Sequence, residues 1–392
     1  MNWLISRTKG DFVIWMVVFM LSLFGLLAVY SSTGTLAYRF QQGNTEYYLF
    51  KHLTLLALGI GFMYLAHLVD YRYWSRISQL LVVIAFPLLA YTLFFGDSVN
   101  GAVRWVTLPI INQSFQTSDL AKFGLIMYLA RVMSKRQDDI KDFRKTFMPL
   151  LTTITGICLL IAPANLSTAL VLFATCLIIM FIGRVNMKYL LLLIVSGVVG
   201  LGILVAILFT VPDDSLKKLG RFKTWKSRIE SHWSGDDGGS YQSQQAKIAI
   251  ASGGIFGKGP GQSTQRNFLP EPYSDFIFAI IIEEYGLIGA SFLLFLYLLF
   301  LFRTIRIVIK SPRAFGALLA FGLSLSMVIQ AFINMGVAVN IFPVTGLPLP
   351  LVSMGGTSLW FNSLAFGIIL SVSRNIEEES QSEEAVLKPV AI

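Results

Sequence analysis

The sequence predicts an all-α, polytopic membrane protein: ten spanning helices, with a large extracytoplasmic loop between spans seven and eight. Three observations carry this. Hydrophobic residues make up 55% of the 392 and charged residues only 14%, against roughly a quarter charged in an ordinary soluble domain. Many apolar runs reach the roughly 20 residues that cross a bilayer, too long for the strands and core helices of a very apolar soluble enzyme. The Lys and Arg residues behind the net charge of +9 gather in short connections between those runs, where they orient a membrane chain and call for no nucleic acid.

The runs fall at about 12–33, 49–69, 77–96, 117–134, 145–163, 165–183, 187–210, 274–302, 313–339 and 352–373. The first follows Arg7, Lys9 and Asp11 and has no small-residue cleavage signature behind it, so it reads as a retained span. With the N-terminus in the cytoplasm, the inside loops hold Arg72 and Arg76, the Lys135–Lys145 cluster, Arg184 and Lys188, and Arg303 to Arg313, while short outside loops hold little beyond Arg39 and Arg104. That bias places both termini in the cytoplasm. Cys158 and Cys176 lie inside apolar runs without metal-ligand or disulfide spacing, and read as packing residues.

The chain divides into a short cytoplasmic N-terminus (1–11), a membrane domain (12–374) and an acidic tail (375–392) expected to be disordered. Within the membrane domain, 211–273 is a polar outside connection too long to obey the charge rule, and so is expected to be functional or folded against the membrane face. In Ser215 to Trp233 the residues Leu216, Leu219, Phe222, Trp225 and Ile229 share one helical stripe among basic residues including Arg228, a pattern suited to an interfacial helix. Ser234 to Ser240 reads as a turn and Tyr241 to Ile250 as a short helix.

Polar residues at membrane depth mark the candidate site. Asn100, Gly101, Arg104 and Trp105 form an outside loop ahead of the fourth span. Asp119 lies in the first turn of that span and Lys122 three residues on, placed either to pair with each other or to leave a cation at the mouth of a cavity. Arg131, at the far end, fits snorkelling. Asn165 caps the sixth span or lines the cavity, and Gln330 and Asn334 add uncharged lining from the ninth. A glycine-rich run from Ser252 leads through Glu271 to Asp275, and Glu283 and Glu284 follow deeper, where they read as organisers of the bundle. Pro343 to Pro350 cannot continue a helix, and Ser353, Gly355 and Gly356 after it offer backbone amides to an anion.

Cations, glycine amides and carboxylates at the outer face suit a substrate with an anionic headgroup, a polar body and a hydrocarbon tail, such as a lipid diphosphate carrying sugars. The same residues permit a proton- or ion-coupled transporter, for which the intramembrane Glu283 and Glu284 argue.

The motifs decide between them by resemblance. Asn100-Gly101-Ala102-x-Arg104-Trp105, Phe115 to Lys122, Ala164 to Thr168, Ser252 to Gly259, Leu269 to Glu271 with Ser274 to Ala279, and Pro343 to Ser358 appear in the order found in the shape, elongation, division and sporulation family, which the chain resembles over roughly residues 12 to 374. Five positions depart from its pattern: Thr117 stands for Pro, Asp119 for Glu, Ala164 for Pro, Asn165 for Asp and Ser167 for Gly, so no role needing a charge at Asn165 carries over.

The resemblance implies a peptidoglycan glycosyltransferase of the bacterial cytoplasmic membrane that polymerises lipid II into a nascent glycan strand and releases undecaprenyl diphosphate. It implies Asp275 as the essential carboxylate, acting as general base on the acceptor sugar 4-hydroxyl or through Mg2+ or Mn2+, with Glu271 the second choice. Arg104 and Lys122 are the candidates for neutralising the diphosphate, and Trp105, Asp119, Ser353, Gly355 and Gly356 complete the expected substrate site. Expected partners are a single-pass class B penicillin-binding transpeptidase and the other membrane proteins of the divisome. Local resemblance around 115–122 and 163–169 favours the division branch, and hence the septum, over the elongation branch. A lipid II flippase and a scaffold recruiting a synthase are the alternatives; the crowding of polar groups in the outer half speaks against flipping, which needs access from both faces.

Overall fold

The computed structural model describes residues 9–99, 102–108, 113–212, 222–233 and 241–387. Asn100 and Gly101, the 215–221 part of the expected interfacial helix and the expected turn at 234–240 lie outside the described residues. The helices are α1 (Phe12–Ser32), α2 (Gly34–Phe40), α3 (Thr45–Leu68), α4 (Tyr71–Phe95), α5 (Thr117–Lys135), α6 (Met148–Ile161), α7 (Leu166–Ile182), α8 (Met187–Thr210), α9 (Phe222–Trp233), α10 (Tyr241–Gly253), α11 (Ile277–Lys310), α12 (Ala314–Ala338) and α13 (Gly356–Leu387). Between α4 and α5 lie three short strands, β1 (Asp97–Val99), β2 (Ala102–Leu108) and β3 (Gln113–Gln116).

Eight helical segments among the described residues are long and apolar enough to cross a membrane, which makes this a helical multi-pass membrane protein. Helix α7, with 17 residues, is a shorter apolar helix. Helix α5 carries Asp119, Lys122 and Arg131 because it runs through the interior, where Ala121, Leu125, Met127 and Leu129 are fully buried by its neighbours and lipid is not its solvent. Arg131 is held at the far end of the helix, where its guanidinium donates to Ser75 O at 2.6 Å and Ser75 Oγ at 2.8 Å. Helices α12 and α13 are the most enclosed of the long segments and α8 the most peripheral.

Close backbone approach locks α13 along α3. A Cβ on Gly367 would lie 2.3 Å from Met63 O, so that site admits no side chain, and one on Gly59 would press to 2.7 Å against the Leu359 and Ser363 side chains. Trp360 Nε1 donates to Leu55 O at 3.2 Å alongside. At the cytoplasm-facing end of the predicted topology, Arg303 grips Asp11 through Nε and Nη2 at 2.9 and 2.6 Å, while Asp11 also caps α1.

Two expectations are corrected. The stretch after α4, expected as a loop, is a three-stranded antiparallel meander in which Trp105 pairs with Asp97 on one side and Gln116 on the other. The β-branched and aromatic run Val103-Arg104-Trp105-Val106-Thr107 favours strand over coil. The tail expected to be disordered from residue 375 instead continues α13 to Leu387. Its carboxylates are taken up by the N-terminal segment and the start of α4: Glu377 accepts from Gly10 N at 3.0 Å, Glu378 from Lys9 at 3.0 Å and Glu379 from Arg72 at 2.9 Å.

Candidate functional site

The glycine-rich run and the paired glutamates form one device, a break in α11. Gly286 sits at φ 67°, ψ −168°, so the helix is interrupted nine residues after its first, Ile277. The backbone groups freed there are taken by the glycine run: Lys258 N donates to Glu283 O at 2.9 Å, Gly259 N to Glu284 O at 2.9 Å, and Leu287 N to Gly254 O at 3.0 Å. Only glycine fits this seam, because a Cβ at Gly253, Gly257 or Gly286 would come within 2.1 to 2.2 Å of a carbonyl oxygen across it.

Glu283 lies in the seam, fully buried, and anchors the loop that follows the run. It accepts from Lys258 Nζ at 2.6 Å, Thr264 Oγ1 at 2.8 Å, the amides of Thr264 and Gln265 at 3.1 and 3.2 Å, and Ser263 Oγ. Glu284 accepts from Ser31 Oγ at the end of α1 and from Ser263 N at 3.3 Å. Donors serve both oxygens of Glu283 and Oε1 of Glu284, which accords with a structural role. The seam fixes the first stretch of α11 and, at its head, Asp275.

Asp275 stands two residues before α11, in the turn that follows Glu271. Ser274 Oγ donates to its Oδ1 at 3.1 Å. Its backbone oxygen accepts from Asn334 Nδ2 at 3.0 Å, and the same amide also donates to Leu347 O at 2.7 Å, so α12 holds the Asp275 turn and the Pro343–Pro350 segment together. Ser353 ties them a second time: its Oγ donates to Ser274 O at 2.7 Å and accepts from Leu349 N at 2.8 Å. Gly346, at φ 69°, turns that segment past the carboxylate, and a Cβ there would lie 3.4 Å from Asp275 Oδ2 and 3.7 Å from Arg104 Nη1. Arg104 comes to the same glycine from β2, its charge acting on Asp275, with its Nε donating to Ala164 O at 3.0 Å.

A second basic residue joins Arg104. Arg228 of α9 donates from Nη1 to Val344 O at 2.8 Å, and its charge also acts on Asp275. Sequence reasoning left it among the basic flank of an amphipathic helix, and nothing in its spacing distinguishes it from Lys223 or Lys226. Lys122 is engaged elsewhere. Its Nζ donates to Gln330 Oε1 at 2.7 Å and lies 3.5 Å from Asp119 Oδ1, both partners being buried, while Gln330 Nε2 donates onward to Pro348 O at 2.7 Å.

Asn165 caps α7 through a bond from Thr168 N at 3.3 Å and lines, with Arg104, Thr117 and Ser118, a cleft whose lining does not include Asp275. Its buried Nδ2 has no hydrogen-bond partner among the described residues. Gly355 and Gly356 open α13, where Gly355 O accepts from Leu359 N at 3.1 Å. Trp105 stays with the sheet.

Burial is the main cause that raises the Asp275 pKa from the ordinary carboxylate range to about 6, and the Glu271 carboxylate adds to it. The Ser274 hydroxyl, Arg104 and Arg228 oppose that rise. Burial lowers the pKa of Arg228, and Asp275 opposes this in turn. The result is a carboxylate ionised at neutral pH yet basic enough to take a proton from a hydroxyl. No group of three His, Cys, Asp or Glu gathers among the described residues. Glu271 and Asp275 nevertheless form the acidic pair that suits Mg2+, which uses one or two carboxylates when substrate phosphates complete its shell.

The profile of the cell cycle protein family FtsW/RodA/SpoVE matches residues 11–378. The chain belongs to the FtsW/RodA/SpoVE family. Stage V sporulation protein E of Bacillus subtilis (strain 168) is 34% identical over 374 residues, covering 94% of this chain and 98% of that one. The probable peptidoglycan glycosyltransferase FtsW of Coxiella burnetii (strain RSA 493 / Nine Mile phase I) is 36% identical over 382 residues, covering 95% and 99%. Among solved structures, a chain from work on the coordination of polymerization and crosslinking by a peptidoglycan synthase complex superposes with a TM-score of 0.72 at 24% identity, over 94% of this chain and 98% of that one. At that identity the likeness speaks for the FtsW/RodA/SpoVE fold alone.

Proposed function

We propose that this chain polymerises lipid II into glycan strands at the outer face of the cytoplasmic membrane, releasing undecaprenyl diphosphate, and that Asp275 is its general base. Peptidoglycan glycosyl transfer in cell-wall synthesis is the activity of its family. The reading rests chiefly on one observation: a largely enclosed carboxylate with a pKa near 6 faces an arginine across a glycine, in a turn held by Asn334 and Ser353.

In this account Asp275 takes the proton of the acceptor sugar 4-hydroxyl as that oxygen attacks the anomeric carbon of the lipid-linked donor. The diphosphate is already a good leaving group, so the remaining work is placement and charge neutralisation. Arg104 serves the diphosphate. Lys122 supports it at one remove, through Gln330 and the carbonyl of Pro348. A divalent cation, held by Asp275 and Glu271, would add positive charge at the same oxygens.

The topology that accompanies this has ten spans within residues 12–374, counting α5 and α7, with 211–273 extracytoplasmic and both termini in the cytoplasm. The basic short loops support it. Work at the division septum beside a single-pass class B penicillin-binding transpeptidase and the other divisome membrane proteins agrees with the FtsW relatives and with the synthase complex containing the structural neighbour. The deciding experiment is polymerisation of labelled lipid II by the purified full-length protein, with and without transpeptidase and divalent metal. Asp275→Asn is expected to lower the rate by about 10²–10⁴-fold; a wild-type rate in that variant removes Asp275 as the base.

A further inference from the structure

We propose that Arg228, and not Lys122, is the second cation that together with Arg104 receives the diphosphate of the lipid-linked donor. The inference deepens the reading of Asp275 as the reacting carboxylate and rests on it. Helix α9 belongs to the long connection between α8 and α10, yet Arg228 reaches in from it to Val344 O at 2.8 Å. Val344 is two residues from Gly346, the residue that faces Asp275 Oδ2 and Arg104 Nη1. The two guanidiniums therefore approach one short segment, and both charges act on Asp275. The Lys122 ammonium is taken up by Asp119 and Gln330 in the interior.

Charge accounting gives the pair its purpose. Before reaction, Asp275 and Glu271 balance Arg104 and Arg228. As the acceptor O4 forms its bond to the anomeric carbon, its proton passes to Asp275. The bond from that carbon to the diphosphate oxygen breaks, and its electron pair leaves with the oxygen. Asp275 is then neutral, and the four groups carry one net positive charge at the moment the leaving group gains a negative one. Two planar guanidiniums suit the phosphate oxygens in a way that a single point charge does not.

Binding tests this without turnover. The probes are geranylgeranyl diphosphate and geranylgeraniol, which share a tail and differ in the diphosphate, titrated into the full-length protein in detergent. Arg228→Gln is expected to weaken the diphosphate probe about tenfold or more and to leave the alcohol unchanged. Arg228→Lys should recover part of the loss, and Lys122→Gln, which acts on the segment only through Gln330, should cost the diphosphate probe less than Arg228→Gln does. Equal diphosphate affinity in Arg228→Gln and wild type overturns the proposal. So does an equal loss for both probes, which marks Arg228 as a prop for Val344, or a Lys122→Gln loss as large as that of Arg228→Gln. Asp275→Asn removes a negative charge and should bind the diphosphate at least as well as wild type. Polymerisation by Asp275→Asn would sink the base assignment while leaving the Arg228 binding result standing.

Discussion

The Asp275 carboxylate and the Arg104 guanidinium meet at Gly346: a methyl group on that glycine would lie 3.4 Å from the one and 3.7 Å from the other. Asp275 precedes α11 and Arg104 lies on β2, so no local sequence relation brings them together. The Pro343–Pro350 segment does so, pinned by Asn334, Gln330 and Ser353.

Gly346→Ala tests that geometry. The left-handed backbone at φ 69° penalises any side chain by about 1–2 kcal/mol, and the methyl group enters the space between base and cation. Polymerisation is expected to fall about 10- to 100-fold, with only a modest drop in melting temperature. Equal initial rates for Gly346→Ala and wild type would show that the reacting groups do not depend on this contact.

The pH dependence follows from the raised pKa of Asp275. Below about pH 6 the folded protein holds this carboxyl protonated, so it cannot accept the hydroxyl proton, and the polymerisation rate should fall on an acid limb centred near that pH. The stability effect has the opposite sense. A carboxyl whose folded pKa lies above its unfolded value costs the folded state free energy once pH exceeds both, and costs nothing below both. Asp275→Asn should therefore melt higher than wild type at pH 7 to 8 and converge with it near pH 4. Identical melting curves at every pH would contradict the burial of this charge.

Much of this was legible in the chain before any coordinates. The apolar runs gave the helices because a bilayer imposes a length. Asp275, Glu271 and the broken segment after Pro343 stood out because carboxylates and prolines at membrane depth require a reason. The meander at 97–116 was missed although Val103 to Thr107 has strand-forming residues, since a short outside connection needs no regular structure. The helical tail was missed because acidic composition reads as disorder, and only Lys9, Arg72 and Gly10, far away in sequence, supply its partners. Arg228 was illegible for the same reason. Its partner Val344 is 116 residues away, and helical spacing carries no information at that range.

Glu283 offers a test of the seam. Its carboxylate collects Lys258, Ser263, Thr264 and Gln265 around the break in α11. Glu283→Ala leaves those donors facing a buried gap, and a loss on the order of 3 kcal/mol is expected, read as a lower melting temperature and reduced yield of folded protein. Because the seam holds Asp275 only indirectly, the fraction that folds should retain measurable polymerisation, unlike Asp275→Asn. A Glu283→Ala protein that melts like wild type but polymerises nothing would move Glu283 from the scaffold into the chemistry.

Lys122 and Asp119 are best separated by a double-mutant cycle. Lys122→Met strands the buried Asp119 carboxylate, whose Oδ2 already has no hydrogen-bond partner among the described residues, and should destabilise by about 3 kcal/mol. Adding Asp119→Asn removes the stranded charge, so the double variant should recover most of that stability. Activity need not follow, and there the two roles of Lys122 part. If Lys122 acts only through its pair and through Gln330, restoring stability should restore most of the polymerisation rate, since Gln330 still holds Pro348 O at 2.7 Å. If the ammonium itself contacts the diphosphate, the double variant should be as stable as wild type and nearly inactive. Melting temperature and initial rate measured on the same four proteins distinguish these outcomes, and the enclosure of Lys122 between Asp119 and Gln330 predicts the first.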